Sequence, residues 1–80
     1  MDERRIADLM RRWDDPWKPT RNEAAKLLAE GGPPVVPYMR DTLLCAQPDP
    51  DHAHYAVWVL EQIAGPEAEA ILEEYWARHG

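Results

Sequence analysis

Shifted against itself by 32 or 33 positions, the 80-residue chain brings like residues into register, and this self-similarity limits the folds open to it more than any other feature. Pro16 and Pro48, Ala24 and Ala56, Leu28 and Leu60, and Pro34 and Pro66 are each 32 apart. After the proline breaks the register becomes 33, which aligns Ile6 with Met39 and Leu72, and Met10 with Leu43 and Trp76. A period of this length marks stacked supersecondary units, none of which can bury its apolar face alone. A chain this short holds one domain, so the period predicts two and a half units in a single stack.

The units read as helical hairpins. Ile6, Leu9, Met10 and Trp13 fall at i, i+3, i+4 and i+7, the stripe of a helix over about 2–13. Asp14-Asp15-Pro16-Trp17-Lys18-Pro19 breaks it, since each proline lacks an amide donor and drives its predecessor out of the helical region. Thr20 with Glu23 has the spacing of a capping box opening a second helix, about 20–30, which stops at Gly31-Gly32. A third helix over about 34–45 presents Val36, Met39 and Leu43, and places Cys45 on the same stripe as a buried, inert thiol. After Gln47-Pro48-Asp49-Pro50, Asp51 or a residue just before it caps a fourth helix, about 51–64, with Ala56, Leu60 and Ile63 inward. Gly65-Pro66 leads to a fifth, about 66–79, with Ile71, Leu72, Tyr75 and Trp76 on its stripe. Trp13 and Trp76 are expected in the core. No alternation of period two is long enough for a strand, so the fold class is all-α.

The run Arg21-x-x-Ala24-Ala25-x-x-Leu28, followed by Gly32-x-Pro34-x-Val36, returns loosely as Ala56-x-x-x-Leu60-x-x-Ile63-x-Gly65-Pro66-x-Ala68. This pattern resembles HEAT-like repeats of the phycobilisome-lyase type over nearly the whole chain, with helix one as the second helix of a truncated first repeat. The second repeat departs from it in carrying Ala53 or His54 where the family often has Arg. The resemblance implies a five-helix, right-handed stack of two and a half hairpins, whose second helices line a concave, protein-binding surface. A role in chromophore handling attaches to the family name alone, and would predict an absorbance change on mixing with a bilin.

Charge divides the chain. The net formal charge is −6, made up of +1 over residues 1–40 and −7 over residues 41–80. Phosphate backbones are repelled by such a chain, so direct nucleic-acid binding is not expected; only Arg4, Arg5, Arg11 and Arg12 form a basic cluster on which it could rest. Asp8, Asp41 and Glu74 recur at intervals of 33 on outward positions of the three equivalent helices, and Glu69 and Glu73 extend the row. On the stacked arrangement these carboxylates form an acidic concave ridge suited to a basic protein, where complementarity speeds association and selects partners. Trp17, in a proline-bounded loop, either covers the end of the stack or is displayed. Trp58 points off its helix's stripe, and both indoles are candidate protein-binding residues.

Chemistry of other kinds finds little footing. Asp49, Asp51, His52 and His54 crowd six positions, but a helix cap with solvated histidines explains them without a metal. No base is placed beside Cys45, and Gly31-Gly32-Pro33-Pro34 lacks the phosphate-cradling pattern. The expected role is therefore a non-enzymatic protein-interaction module without cofactor or metal. The alternative is a small acidic inhibitor, of the phage-encoded anti-CRISPR kind, that blocks the nucleic-acid groove of an immunity machine. A lone cysteine, no charged-then-apolar leader and no run of roughly 20 apolar residues point to the cytoplasm rather than a membrane. Open apolar ends of the stack make a homodimer reasonable.

Overall fold

The computed structural model describes residues 1–79 and contains five α-helices, with no strand among the described residues. Helix α1 (Glu3–Arg11) runs into a 3₁₀ turn (Arg12–Asp14), and α2 spans Lys18–Gly31. A second 3₁₀ turn (Pro33–Val35) leads to α3 (Val36–Leu43), followed by α4 (Pro50–Ile63) and α5 (Gly65–His79). The fold is all-α, as the sequence predicts. No described helix is long and apolar enough to cross a membrane.

Caps and prolines set the boundaries. Asp2 accepts a hydrogen bond from the Arg5 amide at 2.8 Å, Glu3 lies in the first turn of α1 and Arg11 in the last, so each charge suits its end of the helix dipole. Tightening to 3₁₀ geometry carries Trp13 to the interior, where it is 2 % exposed. The Thr20–Glu23 capping box does not form. Helix α2 starts two residues earlier, because Pro19 fits its first turn and the Trp17 carbonyl accepts from the Thr20 and Arg21 amides. Gly32 closes α2 with φ 70°, a conformation that side chains with a Cβ resist. Gly31 is held by contact instead: a Cβ there would lie 2.7 Å from buried Val35.

Helix α3 is shorter than its stripe suggests. The Pro33-Pro34 pair forms its own turn, and the helix ends at Leu43, with Leu44 as its C-cap. Cys45 therefore lies beyond the helix and is exposed, which corrects the expectation of a buried thiol. Helices α2 and α4 have 14 residues each and begin and end 32 positions apart, so the repeat is reproduced in element length as well as in residue type.

Helix α4 is the centre of the packing, touching α2, α3 and α5. Helix α2 lies along α4 and α3 against α5, while α3 also packs extensively on α4, and α1 rests mainly on α2. The repeat pairs Ala24/Ala56 and Leu28/Leu60 are all fully buried. Alanines at 24, 25, 53 and 56 leave little between the α2 and α4 backbones, which lets the two helices approach closely. Ile6 and Met39 are buried and Leu72 is half-buried, so burial fades along that row toward α5. The Met10/Leu43/Trp76 row ends outside the core. Trp76 is 53 % exposed, contrary to expectation, because none of the described helices covers that flank of α5.

Candidate functional site

Two surfaces and one cleft gather the chemistry-bearing side chains. The cleft, of about 360 Å³, lies between the turn that follows α1 and the N-terminal half of α4. The His52 Nε2 atom is 2.7 Å from Asp14 Oδ1, and because an ionised carboxylate can only accept, His52 donates. Arg21 donates through Nε to the Tyr55 hydroxyl at 3.1 Å, and through a terminal nitrogen to the Asp15 carbonyl at 2.6 Å. Beneath them Trp13 stacks on Tyr55, with centroids 5.7 Å apart at 22°, and meets the His52 ring edge-on at 5.6 Å. These residues fasten the first proline loop to α4.

Asp49 caps α4, accepting from the Asp51 and His52 amides at 2.9 and 3.2 Å. The hydrogen bond from His52 and then that from Asp51 hold its carboxyl below the ordinary range, against a small opposing effect of burial. A carboxylate with a lowered folded value contributes stability in full above about pH 4, and the contribution fades as pH falls through that value. An Asp49→Asn variant, whose amide still caps, is expected to melt close to wild type at pH 7 and to lose less between pH 4.5 and 2.5. Thermal melts across that interval check this, and an unchanged slope would count against the cap.

The acidic row is only partly assembled. Helix α3 packs on α5, which puts Asp41 and Glu74 on neighbouring helices, whereas α1, carrying Asp8, rests mainly on α2. Asp8 accepts from Arg12 at 3.2 Å and faces Arg11 at 3.8 Å, and Glu74 accepts from Arg78 at 3.1 Å. Asp8 and Glu74 are thus offset by nearby arginines, and Asp8 in turn offsets Arg11 and Arg12 of the basic cluster. Asp41, Glu69 and Glu73 are exposed and, among the described residues, form no ion pair. Trp76 shares the flank of α5 with Glu69 and Glu73 at i, i+4, i+7 spacing, an acidic and aromatic combination the sequence reading missed by placing Trp76 inside.

Trp17 is displayed, 66 % exposed, at the start of α2, and Trp58 is 37 % exposed on α4. Trp58 borders a shallow groove between these two helices. Among the described residues, no three His, Cys, Asp or Glu side chains converge as a metal site would require. Sequence reasoning also missed the cleft, whose bonds join residues 34 and 38 apart. The available signal was the equivalence of the Asp15-Pro16 and Gln47-Pro48 linkers, which sets the following helix starts side by side. No family model, curated protein or solved structure matches the chain.

Proposed function

We propose that the chain is a non-enzymatic protein-interaction module, a HEAT-like stack whose acidic α3–α5 face receives a basic protein. The observation that carries this reading is the set of exposed, unpaired carboxylates, Asp41 on α3 and Glu69 and Glu73 on the adjoining α5, the last two sharing a flank with the exposed indole of Trp76. Carboxylates in that setting steer a cationic partner at long range, and an indole supplies the contact area that anchors an interface. Displayed Trp17 and Trp58 offer further anchors. The stack itself is supported by the way α2 lies on α4 and α3 on α5. A non-catalytic role is supported by the cleft, whose Asp14, Arg21, Asp49 and His52 are spent on fastening loops and capping a helix.

The net charge of −7 over residues 41–80 favours a second reading, an acidic inhibitor seated in the nucleic-acid groove of its target. Affinity capture with the wild-type chain and an Asp41→Lys/Glu73→Lys variant, at low and high salt, tests both. The expected result is a basic partner whose affinity for the variant falls by about tenfold or more, in line with like-charge juxtaposition at an interface. Displacement of that partner by DNA or RNA, with steep salt dependence, selects the inhibitor reading. Equal affinity of both proteins at both salt concentrations removes the acidic face from the account.

A further inference from the structure

Helices α2 and α4 end alike in shape but not in residue. Gly32 and Ala64, 32 positions apart, are the C-caps of the two equivalent helices, with φ 70° and ψ −148° at Gly32 and φ 59° and ψ −165° at Ala64. That region of backbone space is essentially reserved for glycine, because a Cβ crowds the flanking peptide groups there. Among the described residues, Ala64 is the one other than glycine with a positive φ. Its amide bonds the Leu60 carbonyl at 2.9 Å, and α5 starts at the next residue, so the connection between α4 and α5 is this single strained, exposed position.

Helix α5 is also lightly held. Of its 15 residues only Ala68 and Ile71 are buried, with Leu72 and Tyr75 half-buried. Among the described residues, no side-chain hydrogen bond or ion pair joins it to another element, and the bond from Arg78 to Glu74 stays within the helix. Helix α4, by contrast, buries Ala53, Ala56, Val59 and Leu60, and bonds Asp14 and Arg21 through His52 and Tyr55.

We infer that α5 is a hinged strap, which swings off α3 and α4 as a unit about Ala64, the strain released at that residue lowering the cost of opening. Gly65 precedes Pro66, a position biased toward extended backbone, so the opened hinge has a relaxed conformation to adopt. Opening uncovers the sides of α3 and α4 on which α5 rests, and parts Glu69 and Glu73 from Asp41. A ligand that touches both α3 and α5 therefore shuts the strap by binding one of its two states. The hinge itself does not rest on the acidic face being a docking site.

Native-state hydrogen exchange, read amide by amide in the full chain, tests this. The α5 amides are expected to exchange together through one opening, about tenfold or more faster than those of buried Leu28 and Leu60. Ala64→Gly should slow the α5 group by about threefold or more, because the closed form no longer carries the strain. Gly32→Ala is the converse case. Its added Cβ meets no atom within 4 Å, so its cost lies in the backbone alone. It should speed exchange at Leu28 and leave the α5 group unchanged, since Gly32 keeps its conformation when α5 opens. The inference fails if protection in α5 declines residue by residue toward His79, as in end fraying, or equals that of Leu28 and Leu60. It fails equally if Ala64→Gly leaves α5 exchange unmoved or Gly32→Ala speeds it.

Discussion

Replacing Trp13 by alanine is expected to cost about 3–5 kcal/mol, enough to unfold much of the population of so small a domain. The indole is 2 % exposed and serves two partners from α4, stacking on Tyr55 and meeting His52 edge-on. It therefore holds the first proline loop against α4, and removing it leaves a cavity where α1, α2 and α4 meet. The Trp13 Nε1 atom is buried without a hydrogen-bond partner. Trp13→Phe should accordingly be far milder than Trp13→Ala, since it forfeits no hydrogen bond and spares the protein an unsatisfied donor. Urea unfolding of the two variants checks the pair. Equal losses would mean that the indole nitrogen has a partner, or that the aromatic stack is not what holds the loop.

The second large effect is expected at Leu60, the repeat counterpart of Leu28. Both are fully buried on the two equivalent helices. Leu60→Ala should cost about 2–5 kcal/mol, the range for an aliphatic side chain whose surroundings collapse only partly into the space. Leu28→Ala should fall in the same range, because the 32-residue period gives the two positions the same role in α2 and α4. A thermal midpoint unchanged by either substitution would contradict the register on which the repeat was aligned.

The repeat was legible because prolines and apolar spacing are local signals. Pro16, Pro48 and the Gly31-Gly32 pair delimit helices wherever they occur, and the 32-residue offset reappears in both ends of α2 and α4. What the sequence reading got wrong depended on neighbours. The Thr20–Glu23 spacing resembles a capping box, but α2 already begins at Lys18, so Thr20 lies inside the helix rather than at its cap. Cys45 follows the α3 stripe by angle, yet the helix has ended before it. Trp76 also lies on a stripe, but burial needs a covering element, and none of the described helices covers that flank of α5. The cleft rests on pairings such as Asp14 with His52, which only the stacking of one loop on the next helix brings into reach.

The candidate surfaces follow the same division. Outward acidic positions could be read from angle and spacing alone. Which of them stay uncompensated also had a local signal, which went unused: Asp8 and Glu74 each have an arginine four residues on, Arg12 and Arg78, whereas Asp41, Glu69 and Glu73 have none at that spacing. The groove that Trp58 borders lies between two helices and has no signature within either one.

Mapping a lysine-rich peptide onto the isotope-labelled chain by amide chemical-shift changes tests the acidic docking face most directly. The account predicts shifts concentrated at Asp41, Glu69, Glu73 and the Trp76 indole, shrinking as salt is raised. Shifts spread evenly over all carboxylates, or centred on the α2–α4 groove, would contradict it.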